Sequence, residues 1–422
     1  MKFLLKNGYA VDYADDFEGK TDILIEDGII AAKGENLSAE GAEVIDCEGL
    51  TVLPGLCDMH VHLRDPGQTY KEDVITGCAA AAAGGVTAVV CMPNTVPAAD
   101  TPEVIEYILD KAKSASAKVY PVGCITKGLK GEELCDYNAL KAAGCVAVSD
   151  DGRPVEAAAM MESGMKGADA AGLAVISHCE DLKVINGGII NDGEVSRQLG
   201  VKGMSRLSED TVTARELAIS RVCGVPIHIA HVSTEGSADL IRAAKSVGIK
   251  CTCETGPHYF TLTDEKLLSR DADYRMNPPL RTEADRQAII NALVDGTIDC
   301  IITDHAPHSA EDKADFEKAP NGVVGLETSL AATLTELYHK NVLTLKDIVK
   351  LMCVNPRKIL GIPGGSLRVG EPADIAIADI NEQWTVDPVK LHSKSHNSCF
   401  KGMTFKGKVK YTFLDGKSVY KD

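Results

Sequence analysis

Apolar runs of strand length alternate with stretches of helical composition through the middle of the chain. The apolar runs are bounded by Gly, Pro, Asp and Asn, and they lie at residues 52–62, 86–92, 118–125, 145–150, 173–178, 225–231, 249–254 and 299–304. Helical composition marks residues 102–114, 155–169, 212–223, 236–247 and 283–294. Eight strands that alternate with helices predict an α/β fold closed into a (β/α)₈ barrel. The spacing alone leaves an open, doubly wound sheet as the alternative.

Both ends of the chain show a different pattern, that of short paired strands. Residues 23–30 contain Asp27-Gly28, a dipeptide typical of a tight hairpin turn. Residues 370–377 and 408–416 have the same character. We therefore predict a small composite β-sandwich domain built from residues 1–51 and 365–422, with a barrel domain at 52–364 between its two parts.

Composition narrows the classes of protein that the chain can belong to. Of the 422 residues, 45% are hydrophobic and 25% are charged, as in an ordinary globular protein. A net charge of -17 argues against a nucleic-acid partner, which requires a basic face. We find neither a signal peptide nor the roughly 20 apolar residues of a membrane span. The 14 cysteines include no CxxC pair, so we expect buried, reduced thiols in a cytoplasmic protein.

Polar side chains with catalytic chemistry follow nearly every predicted strand. They are His60, His62, Asn94, Asp150, Asp151, His178, His231, Glu254 and Asp304. In a barrel, functional residues gather at the C-terminal ends of several strands. An open sheet needs them only at one crevice, so this distribution favours the barrel.

Six of these residues form a candidate metal site. His60 and His62 stand two positions apart on a strand and therefore point to the same side. The full set of ligands is His60, His62, Asp151, His178, His231 and Asp304. Mixed nitrogen and oxygen donors suit Zn²⁺ or a similar ion, and six exceed what one tetrahedral zinc requires. Two metals that share a carboxylate would activate water and polarise a carbonyl, which indicates hydrolysis of an amide-like bond.

Each candidate also has a plain structural interpretation. A single histidine at the end of an apolar run, such as His178 or His231, is more often a core residue, and we place His228 in that class. Asp150 and Asp151 precede Gly152, so one of them can serve only as a turn cap. Asp304 also stands at a position that suits a helix N-cap. A metal site explains best why all six occur at strand ends.

Longer motifs resemble those of one family. They are Asp58-Met59-His60-Val61-His62-Leu63-Arg64-Asp65-Pro66-Gly67, Met92-Pro93-Asn94-Thr95, Asn277-Pro278-Pro279-Leu280-Arg281 and Thr303-Asp304-His305-Ala306-Pro307-His308. Over essentially its whole length the chain resembles the dihydroorotases of the longer bacterial class, within the amidohydrolase superfamily. The resemblance implies a (β/α)₈ barrel with a small composite β-sandwich, in agreement with the pattern above.

The resemblance also implies a ligand arrangement with two zinc ions per subunit. His60, His62 and Asp304 would hold one zinc, and His178 and His231 the other. Many relatives bridge the two metals with a carbamylated lysine, but the fourth strand here ends in Val148-Ser149-Asp150-Asp151-Gly152. Asp151 is therefore the expected bridge, with Asp150 as the competing choice.

The implied reaction is the reversible hydrolysis of (S)-dihydroorotate to N-carbamoyl-L-aspartate in de novo pyrimidine biosynthesis. Asp304 would act as general base and then as general acid. In the family pattern the substrate carboxylate is bound by Arg64, Asn94 and His308, and His62 also borders the substrate. Asn277 would contact the ring, and the backbone at Gly322 and Val323 would close over it.

Two rival functions remain open. A hydantoinase or an allantoinase uses the same scaffold, but such enzymes usually keep the bridging lysine and lack this arginine. An inactive subunit that only supports aspartate transcarbamoylase would typically have lost metal ligands, and this chain keeps them. We expect a homodimer, leave association with aspartate transcarbamoylase open, and interpret residues 308–325 as a candidate lid.

Overall fold

The computed structural model describes residues 2–422. Its strands, in chain order, are β1 (Lys2–Asp12), β2 (Phe17–Glu26), β3 (Ile29–Gly34), β4 (Glu43–Asp46), β5 (Thr51–Pro54), β6 (Leu56–Val61), β7 (Val86–Cys91), β8 (Lys118–Gly123), β9 (Ala147–Val148), β10 (Ala174–Ser177), β11 (Ile190–Asn191), β12 (Gly203–Met204), β13 (Ile227–Ile229), β14 (Cys251–Thr255), β15 (Cys300–Ile301), β16 (Ile375–Thr385), β17 (Thr404–Leu414) and β18 (Lys417–Lys421). Two large sheets and one short pair, β11 with β12, contain all of these strands.

The helices follow the strands closely. The α-helices are α1 (Val74–Ala83), α2 (Pro102–Ala112), α3 (Tyr137–Ala143), α4 (Ala158–Ala170), α5 (Leu182–Ile185), α6 (Glu194–Leu199), α7 (Leu207–Cys223), α8 (Glu235–Ser246), α9 (Pro257–Thr261), α10 (Glu283–Val294), α11 (Ser329–Thr333), α12 (Leu345–Val349) and α13 (Asn355–Leu360). Short 3₁₀ helices lie at Lys127–Leu129, Asp264–Ser269, Ala272–Tyr274 and Pro388–Lys390, and π-helical turns at Leu334–Tyr338 and Lys350–Val354. The five helices predicted between strands are all present: α10 has the predicted bounds, and the other four differ from the prediction by one to five residues at one or both ends.

The predicted barrel is confirmed. Eight parallel strands pair in the order β6-β7-β8-β9-β10-β13-β14-β15. The circle is brought to near closure by a parallel bridge between Val61 and His305, where the His62 N–H donates to the His305 carbonyl over 2.8 Å. Because all eight strands run the same way, their C-terminal ends meet at one mouth.

The composite β unit from the two ends of the chain is also confirmed. Strands β18, β17, β16, β5, β1, β2 and β3 pair in that order, and β4 joins β1. The predicted hairpin turn lies between β2 and β3, with Asp27 and Gly28 both at positive φ. Where one domain ends and the other begins remains a prediction from the sequence.

The predicted strand at 52–62 is wrong as a single element. It is divided at Gly55, so that β5 belongs to the terminal sheet and β6 to the barrel. Gly55 donates its N–H to the Asp374 carbonyl, and a Cβ at this position would lie only 2.2 Å from Thr87 Oγ1. Burial of both halves makes the run read as one strand, although Pro54-Gly55 in its middle is a turn signal at the point of division.

Side chains from strands around the barrel pack into one buried hydrophobic cluster. Its members include Met59, Val90, Val122, Ile176 and Cys300.

All 14 cysteines are free and all but Cys223 are buried, as predicted from the absence of paired motifs. Within residues 2–422 no helix has the length and apolar character needed to cross a membrane.

Candidate active site

The predicted site residues converge at the C-terminal mouth of the barrel. They surround a cavity of about 220 Å³. Its walls are formed by His62, Arg64, Asn94, Asp151, Gly152, His178, His231, Asn277, Asp304, Ala306, His308, Asn321 and Gly322. Two predicted residues lie outside the wall. His60 is completely buried, and Val323 is buried with its carbonyl accepting the Ala306 N–H over 2.8 Å.

One group of possible metal ligands consists of His60, His62 and Asp151, whose donor atoms lie within 4.8 Å of one another. His60 Nε2 is 3.4 Å from Asp151 Oδ1, and His62 Nε2 is 3.6 Å from Asp151 Oδ2. Two ligands of one tetrahedral zinc stand about 3.3 Å apart, so these separations suit a shared ion. Within residues 2–422, the buried Nε2 of His60 has no hydrogen-bond partner, which leaves its lone pair available.

A second group consists of Asp151, His178 and His231. His178 Nδ1 lies 3.4 Å from Asp151 Oδ1 and 2.8 Å from His231 Nε2. Burial alone would raise the pKa of Asp151, but His60, His178 and His231 together hold it well below its usual value. The carboxylate is therefore ionised, and its membership in both groups suits it to bridge two ions.

The neighbouring Asp150 is turned away from the cavity. Its carboxylate accepts the backbone N–H groups of Ile125 and Thr126 at 2.8 and 3.0 Å, together with the Thr126 hydroxyl. Because the Asp150 carboxylate accepts these three hydrogen bonds, it fixes the loop after β8. The geometry thus separates the two adjacent aspartates, which the sequence alone had left in competition.

Two buried glutamates contact the histidines from the side away from the proposed ions. Glu254 Oε1 is 2.7 Å from His60 Nδ1, which directs His60 Nε2 toward Asp151. Glu180 Oε2 is 3.2 Å from His178 Nε2, which directs His178 Nδ1 toward Asp151. A carboxylate at the outer nitrogen fixes the tautomer of a ligating imidazole. Burial opposes ionisation of Glu254, but His60 and His228 outweigh it and lower its pKa to about 2.

Sequence reasoning missed the roles that these contacts give to Glu180, Glu254 and His228. The sequence pattern marks Glu254 only as a polar residue at the end of a strand. His228, which we placed in the core, has its Nε2 3.1 Å from Glu254 Oε2 and so supports that carboxylate. Glu180 had a detectable signal, since it stands two residues after His178 and reaches the same ring.

Asp304 lies beside the first group of ligands. Its Oδ1 is 3.0 Å from His62 Nε2 and 3.7 Å from His60 Nε2. Burial would raise the pKa of Asp304, but His62, His60 and His231 lower it below its usual value, so the carboxylate is ready to accept a proton. Its φ is 47°, in the left-handed region that non-glycine residues enter at a cost in energy. Buried Asp58 fixes the preceding Thr303 by accepting both its N–H and its hydroxyl.

Cationic and polar groups line the opposite side of the cavity. Arg64, at φ 59°, donates through Nε to the Pro307 carbonyl over 3.3 Å, and its Nη2 lies 3.4 Å from His308 Nε2. Asn94 Oδ1 lies 2.8 Å from His62 Nδ1. The Asn277 amide donates to Glu180 over 2.7 Å. This bond connects a predicted substrate contact with the glutamate that contacts His178, a predicted metal ligand.

The segment 308–325 covers one side of the cavity and is tied down at several points. Lys313 is buried and its Nζ donates to the Arg275 carbonyl over 3.1 Å. Gly322 donates its N–H to the same carbonyl over 3.0 Å, and its own carbonyl accepts the Asn397 side-chain amide at 3.0 Å. Movement of this segment as a lid stays a prediction.

Comparison with known proteins decides the family. A family model described as dihydro-orotase-like matches residues 49–237. A dihydroorotase of Citrifermentans bemidjiense is 50% identical over 423 aligned residues that cover 100% of both chains. A dihydroorotase of Acetivibrio thermocellus is 49% identical over 99% of both. The chain belongs to the dihydroorotase family. It is therefore an enzyme of the dihydroorotase type, as its motifs predicted.

A solved structure supports the same fold. The L-hydantoinase (dihydropyrimidinase) from Arthrobacter aurescens superimposes on this dihydroorotase-family chain with a TM-score of 0.89. The two are 26% identical, and the match covers 99% of this chain and 96% of the other. The barrel with its terminal sheet is thus shared between hydantoinases and this member of the dihydroorotase family.

Proposed function

We propose that the enzyme interconverts (S)-dihydroorotate and N-carbamoyl-L-aspartate in de novo pyrimidine biosynthesis, with two zinc ions per subunit. The observation that carries the proposal is a single cavity in which Asp151, shared by two groups of ligands, faces the cationic side chain of Arg64. The first half of this arrangement suits hydrolysis of an amide, and the second suits a substrate that bears a carboxylate. Full-length similarity to dihydroorotases supports the same conclusion.

The residues present fit zinc. His60, His62 and Asp304 would hold one ion, His178 and His231 the other, and Asp151 would bridge them. Bound zinc would supply Lewis acidity, which lowers the pKa of water and polarises a carbonyl oxygen. Glu254 and Glu180 would keep His60 and His178 in the ligating tautomers.

Asp304 is the proposed acid–base residue. Its carboxylate is ionised in the resting enzyme and lies where water and substrate would meet at the ends of the strands. It would take a proton from the attacking water and then deliver that proton to the departing ring nitrogen. The reverse reaction would use the same two transfers in the opposite order.

The remaining predicted residues would bind and orient the ring. Arg64 offers a planar pair of donors that matches a carboxylate, with Asn94 and His308 beside it. The proposal further places the Asn277 side chain and the Gly322–Val323 backbone against the ring, and His62 next to the reacting carbonyl.

The first experiment is a turnover assay with (S)-dihydroorotate on purified enzyme, with zinc determined on the same sample. We expect turnover with about two zinc ions per chain. Asp304→Asn should lower kcat by at least about 10²-fold, the usual size of a general-base contribution. The matched control is Glu283→Gln. Glu283 is exposed on α10, where it pairs with Arg286 away from the cavity, so this variant should keep full activity.

The other outcomes identify the rivals. Zinc without turnover of dihydroorotate would contradict the proposal and direct assays to hydantoin and allantoin. Neither zinc nor turnover, even after metal is added, would favour a supporting subunit of aspartate transcarbamoylase. Sedimentation with and without that partner would test the expected homodimer and the association separately.

A further inference from the structure

Lys71 lies behind the pocket that we propose for the substrate carboxylate. The residue is 7% exposed, and its Nζ is 3.1 Å from Nδ1 of His308. Lys71 precedes α1, whereas His308 follows β15, so the contact joins distant parts of the chain. Burial of an ammonium group is costly unless it is paired, which makes an incidental position improbable.

The contact determines which nitrogen of His308 carries the proton. A lysine ammonium only donates hydrogen bonds, so Nδ1 of His308 must present its lone pair. The proton then resides on Nε2, which lies 2.9 Å from the Asn321 carbonyl and can donate to it. Arg64 Nη2, 3.4 Å from the same Nε2, is a second donor on that side. The Nε2–H of His308 is therefore engaged by the Asn321 carbonyl, and Arg64 stands beside that bond as a separate donor at the cavity wall.

We propose that Lys71 is a positioning residue that holds His308 in its Nε2–H tautomer and thereby fixes the Asn321 carbonyl, and with it the backbone of Gly322, at the cavity wall. Its specific consequence is a substrate pocket whose wall beside Arg64 is held in place. The inference rests on the proposed function, because it takes the cavity beside Arg64 to be the carboxylate site.

The charges around His308 agree with this arrangement. Burial, together with the nearby positive charges of Arg64, Lys71 and Lys313, lowers the pKa of His308 to about 2, so the ring stays neutral. Asp312 Oδ2 lies 3.4 Å from Lys71 Nζ, which supports a charged amine, and 3.9 Å from His308 Nδ1.

Removal of Lys71 would leave Asp312 as the partner for Nδ1. A neutral His308 would then place its proton on Nδ1 and donate to that carboxylate. The Nε2 lone pair would then face the Asn321 carbonyl and repel it. Loss of Lys71 thus replaces the hydrogen bond that holds residues 321–322 at the binding surface with a repulsion, and binding of the substrate weakens.

The test combines kinetics with ¹⁵N NMR of the histidine rings. His308 signals are assigned by their absence in His308→Gln. In the wild-type enzyme we expect Nδ1 to have the shift of an unprotonated nitrogen and Nε2 that of a protonated one. In Lys71→Met we expect the two shifts to exchange. KM for dihydroorotate should rise about tenfold with kcat changed less than about twofold, the pattern of a lost binding interaction.

Two further variants serve as controls. Lys71→Arg keeps a cationic donor and should retain the wild-type tautomer. Lys394→Met removes a neighbouring lysine, which donates to the Thr69 carbonyl and pairs with Asp73 but does not contact His308, and should leave both readouts unchanged.

The NMR result decides the proposal whether or not dihydroorotate is the substrate. A wild-type His308 that is protonated on Nδ1 would overturn it, even if Lys71→Met fails to fold. An unchanged tautomer and unchanged KM in Lys71→Met would also overturn it. If the tautomer changes as expected but the wild-type enzyme does not turn over dihydroorotate, the proposed function fails and the effect of Lys71 on His308 stands.

Discussion

The two oxygens of Glu254 contact two different histidines, one of them His60. Oε1 lies 2.7 Å from Nδ1 of His60, and Oε2 lies 3.1 Å from Nε2 of His228. His228 is in turn within 2.8 Å of the Thr252 hydroxyl through its other nitrogen. This buried chain ends at the first barrel strand and fixes the ring that we propose as a zinc ligand.

Glu254→Gln tests this connection. The amide keeps the size of the side chain but removes the charge, so His60 loses the anionic partner that favours binding of a cation. We expect zinc affinity to fall by about 10- to 100-fold, measured by competition with a chromogenic chelator. His228→Asn removes only the histidine farthest from the proposed zinc ion and should lower zinc affinity less than Glu254→Gln does. Equal zinc affinity in wild type and Glu254→Gln would contradict this account.

The adjacent aspartates provide a matched pair of variants. Asp151→Asn should lose bound zinc and activity together, because the carboxylate that we propose as the bridge belongs to both ligand groups. Asp150→Asn should keep zinc yet lower the melting temperature, since three donors from Ile125 and Thr126 lose a charged acceptor. Zinc analysis and calorimetry on both proteins check the prediction. The reverse pattern would make Asp150 the bridge.

Arg64→Lys tests recognition of the substrate carboxylate. Lysine retains the charge but cannot reproduce the planar pair of donors. We expect KM for dihydroorotate to rise by about 10- to 100-fold, the range for loss of a hydrogen bond to a charged group, with zinc content unchanged. Arg286→Lys, which alters an arginine paired with Glu283 on α10, is the control. A normal KM in Arg64→Lys would place the carboxylate elsewhere.

His258 should make the metal-free protein sensitive to acid. Burial, with a smaller contribution from His231, lowers the pKa of His258 from 6.5 to about 4, although Asp304 opposes the shift. Between these pH values the unfolded chain binds a proton that the folded chain does not. The free energy of unfolding therefore falls as the pH is lowered from 6.5 to 4, by about 3 kcal/mol for this group. Urea unfolding of His258→Gln, followed by circular dichroism, should show a correspondingly smaller loss.

His392 provides a control of opposite sign. Its hydrogen bond to Glu327 raises the pKa of His392 above its usual value. That contribution is present at low pH and is lost as the pH rises through the raised pKa. His392→Gln should therefore destabilise the protein at pH 5.5 more than at pH 8.5. Parallel pH curves for wild type and His258→Gln would show that His258 is not the titrating group.

Periodicity and motifs predicted most of the fold and the inward-facing side chains. Eight strand positions follow directly from apolar runs, and the site candidates follow from the polar residue at the end of each run. The division at Gly55 was not predicted, because residues buried in one sheet and in the next look alike in sequence and outweighed the turn signal of Pro54-Gly55. Close approach of Thr87 to Gly55 is visible only once both strands are in place.

The supporting side chains were harder to predict than the site itself. Lys71 lies in a polar stretch where lysine is common, and its partner His308 is far away in sequence. Glu180 gives a weak signal, because it stands two residues after the predicted ligand His178 but lies beyond the apolar run that would fix its direction. Contacts of this kind depend on which loops meet at the barrel mouth, and single-sequence patterns carry no signal for that.

The pairing of β5 has a consequence for the order in which the protein can fold during its synthesis. Strand β5 leads directly into β6, which carries His60, and it lies between β1 and β16. Its second neighbour is formed when Ile375 pairs with Pro54, across almost the whole barrel sequence. In a nascent chain on the ribosome, β5 can therefore pair only with β1 until the region after the barrel, which contains β16, has emerged. We therefore expect the proposed metal site to be completed late, when nearly all of the chain has been translated.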